Sequence, residues 1–249
     1  MDAELLREIR KQIFPAKPDD FAIPKIGNDE LIELANGNRI VRGLLAKSGP
    51  SLMVLFHGNG STINKEVVPA RFFYSHHLSV LLVEYPGYGV SAEYEASESN
   101  LYSDSERLVK FVQQTYGFDN KSTFLYGRSL GSGVAVEMAR KGMGSKLVLI
   151  TPFTSMPAVA TALDPANEAF IPFMLDKFDN ISKSKEIELP VLMIHGDKDK
   201  TVPHEMAAAL AKSFPDAELI TLDSDKHGDI YQDIDEALWK RVENFIKDP

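Results

Sequence analysis

The sequence predicts an α/β fold: a mostly parallel central sheet flanked by helices, with a small helical cap inserted late in the chain. Three observations carry this expectation. Short continuous apolar runs recur at Leu52 to Phe56, Val80 to Val83, Thr123 to Leu125, Leu147 to Ile150 and Val191 to Ile194. Unbroken runs, unlike alternating ones, suit strands buried on both faces of a parallel sheet. Helix-like stretches separate them, and strand–helix–strand alternation is the mark of an α/β sandwich. One segment, Thr151 to Glu188, is longer than a simple crossover needs and carries Pro152, Pro157, Pro165 and Pro172.

Taken in order, Ala3 to Phe14 is the first element. Leu5, Leu6, Ile9 and Ile13 fall on one helical face and Arg7, Glu8, Arg10 and Lys11 on the other, so the helix is expected to dock on its own domain. Pro15, Pro18 and Pro24 mark an extended connector, which makes residues 1–28 a helix plus connector. Glu30 to Leu34 and Arg39 to Leu45 flank Asn36-Gly37-Asn38, a hairpin read as a type I′ turn. Helices are expected over Asn100 to Tyr116, Leu130 to Arg140, His204 to Phe214 and Ile230 to Ile246, and a last strand over Glu218 to Leu222. Residues 152–188 are assigned to the cap, over the C-terminal edge of the sheet, and residues 1–249 to one domain.

Composition removes several classes of function. With no cysteine there is no disulfide, thiolate metal site or cysteine nucleophile. A formal charge of −9 argues against a nucleic-acid partner, which calls for clustered Lys and Arg. The apolar runs are strand-sized, so stable membrane insertion is not expected, and Met1-Asp2-Ala3-Glu4 lacks the basic flank of a signal peptide. The default expectation is a soluble, cytoplasmic protein.

The chemistry concentrates at Gly127-Arg128-Ser129-Leu130-Gly131, which follows a strand-like run and opens a helix. In that context G-x-S-x-G forms a sharp strand-to-helix turn with the serine at its apex. Side chains two residues either side of the serine would collide with backbone, and Ser132 and Gly133 are expected to keep the helix slim against the sheet. The helix N-terminus then offers free N–H groups beside Ser129.

A serine nucleophile needs a base, and the base an orienting carboxylate. Of six histidines, His227 stands in the loop after the last strand, on the sheet edge where Ser129 emerges. A structural role is expected for His57, His76, His77, His195 and His204. Two carboxylates follow Val191 to Ile194, Asp197 and Asp199; Asp199 is favoured, because an aspartate nearer the strand end more often stabilises a turn. For an oxyanion hole the N–H of Leu130 is the first donor and that of Asn59, in His57-Gly58-Asn59-Gly60, the favoured second.

These pieces together resemble the α/β-hydrolase superfamily from about Glu30 onward, and within it the group of lysophospholipid hydrolases and protein depalmitoylases. The resemblance lies in LFHGNG, VEYPGYGVS, LYGRSLGSGVA and VLMIHGDKDKTVP. It implies an α/β-hydrolase fold with Ser129 as nucleophile, Asp199 as acid, His227 as base, and Asn59 and Leu130 as oxyanion donors. The depalmitoylases' cysteine-rich N-terminus has no counterpart here, so protein depalmitoylation at a membrane is not expected.

The expected function is a serine hydrolase, a carboxylesterase acting on a small-molecule acyl ester through an acyl-enzyme. Thioesterase or lysophospholipase activity on the same triad is the alternative, and a non-catalytic binding protein on this fold is the rival from another class. Phe153, Met156, Phe170, Phe173 and Met174 are candidates for an apolar acyl pocket. No P-loop, dinucleotide fingerprint or H-E-x-x-H is present, and the chemistry needs no cofactor or metal.

Overall fold

The computed structural model describes residues 3–15 and 23–248. Pro18 of the predicted connector and the side chain of Leu5 lie outside the described residues. The strands are β1 (Asp29–Asn36), β2 (Arg39–Ala46), β3 (Ser51–Phe56), β4 (Leu78–Glu84), β5 (Thr123–Arg128), β6 (Lys146–Ile150), β7 (Val191–Gly196) and β8 (Ala217–Leu222). They form one eight-stranded sheet in the order β1-β2-β4-β3-β5-β6-β7-β8. The β1–β2 and β2–β4 pairs are antiparallel and all later pairs parallel.

The continuous apolar runs are explained by two cores, because successive strand residues point to opposite faces. Val54, Leu81, Leu125, Leu149 and Met193 join one core with α3 (Glu98–Tyr116), α4 (Leu130–Arg140) and α7 (His204–Ser213). Met53, Leu55, Leu82, Val148 and Ile194 join the other with α2 (Val67–Ser75) and α8 (Glu236–Lys247). Each fully buried aliphatic side chain of this kind contributes about 1.5–3 kcal/mol. With no polar face to spare, these strands must lie between two helical layers.

Four local expectations change. The hairpin places positive φ on Gly37 (63°) and not on Asn38, which is the pattern of a II′ turn rather than I′. The stretch from Ile230 to Ile246 is not one helix: a 3₁₀ turn at Ile230–Gln232 precedes α8, and the Asp235 carboxylate caps α8 by accepting the Leu238 N–H at 2.8 Å. Helix α2 is a further element, whose pattern in the sequence Pro69 interrupts. Pro69 sits in the first turn, where its missing N–H costs nothing. Gly133 keeps α4 slim against Phe178 and Phe153 rather than against the sheet; a Cβ there would lie 2.7 Å from the Phe178 ring.

Between β6 and β7 the cap contains α5 (Met156–Leu163), a 3₁₀ stretch at Pro165–Phe173 and α6 (Asn180–Lys183). At the front of the chain α1 (Ala3–Ile13) buries Ile9, Ile13 and the following Phe14 in the α3/α4 core. Among the described residues, no helix is long and apolar enough to cross a membrane.

Candidate active site

Ser129 sits between β5 and α4 with φ 49° and ψ −118°, outside the basins a serine ordinarily occupies. Its surroundings leave it nowhere else to go. A Cβ on Gly131 would lie 2.1 Å from the Phe56 carbonyl oxygen, and one on Gly127 2.4 Å from the Gly131 carbonyl oxygen. The Ser129 N–H donates to the Ile150 carbonyl at 2.9 Å, and its own carbonyl accepts the Ser132 N–H and hydroxyl. Its side chain makes no capping bond to α4, so the hydroxyl is available for another partner.

That partner is His227. Nε2 of His227 is 2.8 Å from Ser129 Oγ, and Nδ1 is 2.6 Å from Asp199 Oδ2. The structure thus brings Ser129, His227 and Asp199 together from the ends of β5, β8 and β7. Asp199 is buried and its Oδ1 accepts the N–H groups of Thr201 and Val202 at 2.8 and 3.0 Å. Burial alone would push the Asp199 carboxyl up. Hydrogen bonds from His195, His227 and the Val202 N–H outweigh it and hold the group below the ordinary carboxylate range. Asp199 is therefore an ionised acceptor, which places the His227 proton on Nδ1 and leaves Nε2 free to accept from the serine. Asp197 is exposed and accepts the Ser224 N–H at 3.2 Å, joining the loops after β7 and β8.

His195, at the end of β7, has a part in this arrangement that its position in the sequence did not reveal. Its ring is fully buried; Nε2 is 2.9 Å from the Val202 carbonyl and 3.3 Å from Asp199 Oδ2. His204 reaches the Thr221 hydroxyl, and His76 ends α2 near Glu243. His77 takes a positive φ of 62°.

The loop after β3 carries the second donor candidate. His57 and Glu84, both buried, approach to 2.9 Å without hydrogen-bond alignment, and the Tyr85 hydroxyl donates to the His57 carbonyl at 3.1 Å. The loop is thereby tied to β4. Neither the Asn59 nor the Leu130 N–H donates to a protein acceptor among the described residues.

A buried network lies beside the serine. Arg128 donates from Nε and Nη2 to Glu66 Oε1 at 2.9 and 2.5 Å, Tyr231 donates to Glu66 Oε2 at 2.7 Å, and the Tyr126 and Tyr231 hydroxyls are 2.6 Å apart. Burial acts to lower the Arg128 guanidinium, but the Glu66 carboxylate raises it, so the cation persists in the interior. An arginine at the end of an otherwise apolar strand is the sequence signal for such a pair, because a buried cation requires a counter-charge.

Asn59, Ser129, Leu130 and His227 open into a cavity of about 480 Å³. Phe153, Met156, Phe170 and Met174 line it, with Val159, Leu163 and Val202. Phe173 does not: it ends the 3₁₀ stretch, is 38% exposed, and lies off the cavity wall. The lining also includes Ile9, Gln12, Ile13 and Pro15 from the front of the chain.

Comparison with known proteins gives a consistent picture. A family model described as serine aminopeptidase, S33, matches residues 50–180, just over half the chain, and one described as TAP-like protein matches residues 170–249. A putative alpha/beta hydrolase of Acanthamoeba polyphaga mimivirus is 28% identical over 191 residues, 73% of this chain and 68% of that protein. Human alpha/beta hydrolase domain-containing protein 17B is 31% identical over 132 residues, 53% of this chain and 44% of that protein. Among solved structures, the Pyrococcus furiosus esterase Pf2001 superposes with a TM-score of 0.70 at 18% identity, covering 88% of this chain and 89% of that one. Est1E from Butyrivibrio proteoclasticus gives 0.68 at 17% identity, with 87% and 97% covered. At these identities the structural likeness speaks for the fold.

Proposed function

The chain belongs to the α/β-hydrolase superfamily, and from that premise we propose that it is a serine hydrolase that cleaves carboxylic esters with Ser129, His227 and Asp199. The observation that carries this reading is the unbroken hydrogen-bonded line from Ser129 Oγ through both His227 nitrogens to the Asp199 carboxylate.

The Ser129 hydroxyl attacks the ester carbonyl as its proton passes to His227 Nε2, and ionised Asp199 stabilises the imidazolium that forms. The N–H groups of Leu130 and Asn59 receive the developing oxyanion, where one donor is worth about 10²–10³ in rate. His227 then returns the proton to the leaving alcohol, giving an acyl-enzyme on Ser129. Water repeats the sequence to release the acid.

The cavity favours an uncharged acyl group. Among the described residues its walls are mostly apolar and hold no aspartate or glutamate. That mostly apolar lining suits the hydrocarbon of an acyl group better than the ammonium of a free peptide N-terminus, which favours an ester over an aminopeptidase substrate. Labelling with a fluorophosphonate probe and turnover of p-nitrophenyl esters test the reading together. Both are expected in the wild type and neither in Ser129→Ala; labelling that persists in the variant assigns the nucleophile elsewhere.

A further inference from the structure

The front of the chain is built into the site. The last carbonyls of a helix lack intrahelical donors, and the carbonyl of Ile13, the last residue of α1, accepts Asn59 Nδ2 at 2.8 Å. The Asn59 amide is held at its other end too, where Oδ1 accepts the Tyr88 hydroxyl at 2.6 Å and the Gly60 N–H at 3.0 Å. The oxyanion candidate and α1 therefore share one side chain.

Two further contacts seat the helix. Arg10 forks between Asp176 Oδ2 at 2.8 Å and Glu95 Oε1 at 2.7 Å. The other oxygen of Asp176 accepts the Glu98 N–H at the start of α3, so this carboxylate is fixed before Arg10 reaches it. The Phe14 ring meets that of Phe178 edge-on at 6.1 Å. Seated this way, α1 presents Ile9 and Ile13 to the cavity opposite the cap residues. One helical turn separates the two isoleucines, about 6 Å of apolar wall. Asn59, Arg128, Ser129 and His227 bring polar atoms to the lining, as do Gln12 of α1 and Asn167 of the cap, and the rest of it is mostly apolar.

We propose that α1 is a wall of the acyl pocket and sets the acyl chain length, selecting neutral esters of unbranched, medium-chain fatty acids. The inference rests on the ester-hydrolase reading above. On this proposal a longer acyl chain meets more of the wall than an acetyl group does.

The test is the ratio of kcat/KM for p-nitrophenyl octanoate to that for p-nitrophenyl acetate. Ile13→Trp fills the wall and is expected to lower this ratio roughly 10-fold or more, the scale of a lost methylene site. Ile13→Ala enlarges the pocket and shifts the preference from octanoate towards laurate. Arg10→Ala leaves the cavity lining intact but loosens the seat. It is expected to lower the same ratio and to speed amide hydrogen exchange over residues 3–15, which keeps the test decisive if Ile13→Trp does not fold. Ratios unchanged in the variants, including a parallel loss on both esters, overturn the proposal. Failure of the hydrolase reading is distinguishable, because the wild type would then neither turn over acetate nor accept the fluorophosphonate label.

Discussion

Beneath Ser129 the site is held by backbone: Gly131 lies against the Phe56 carbonyl with no room for a methyl group, and the serine amide is bonded to Ile150. Above it the cavity is closed by side chains from the cap and α1, and some of these remain in water, with Leu163 58% and Phe170 44% exposed. Backbone contacts at van der Waals limits admit one arrangement, whereas apolar side chains on short helices repack when one of them changes size. Under the proposed reading, the floor is suited to fixing where the reaction occurs, and the roof to deciding what enters.

Substitutions separate the two regions. On the floor, Ser129→Ala is expected to lower kcat for ester hydrolysis by about 10⁶ with the protein still folded, measured by steady-state kinetics alongside thermal melting. Asp199→Asn follows at about 10⁴, while Asp197→Asn, whose side chain accepts the Ser224 N–H, leaves kcat nearly as it was; the reverse order would move the acid to Asp197.

The same variant carries a pH signature. Because the folded-state value of Asp199 lies below its unfolded one, its contribution to stability is complete above the unfolded value and is lost as pH falls through the folded one. Urea unfolding should show Asp199→Asn less stable than wild type at neutral pH, with the gap narrowing as pH falls below about 3.9.

Gly131→Ala is expected to cost about 3 kcal/mol or more in denaturant unfolding, since the atom it meets is backbone and cannot swing aside. On the roof, Phe170→Ala should change stability by less than about 0.5 kcal/mol and alter KM for long-chain esters more than for acetate. A roof substitution with the effect of a floor substitution would erase the distinction.

The floor was also the more legible region in the sequence. Gly127, Ser129 and Gly131 announce the elbow because only one residue type fits each flanking position. The sheet strands follow from apolar runs that leave no face for solvent, and His227 and Asp199 follow from their places after β8 and β7. The roof offers no such restriction. Phe153, Met156, Phe170 and Met174 line the cavity and Phe173 does not, although all are apolar and near in sequence; the difference is the direction each takes from a 3₁₀ or helical turn. Pairings over long separations were equally silent. Nothing local in Asn59 points to Ile13, and nothing in His195 points to a second load on Asp199, because both depend on how distant loops meet.

The arrangement at Ser129 has a consequence for the life of the chain before it is complete. Ser129 and His227 are 98 residues apart, and the seat of Gly131 exists only once β3 has paired with β5. Helices form early from local contacts, whereas pairings over long separations carry a larger closure entropy and come later. A partly folded chain thus holds Ser129 without its contact to His227. The line from Ser129 through His227 to Asp199 closes only when the loops after β5, β7 and β8 have converged, so the proposed chemistry would be withheld from unfinished or misfolded copies.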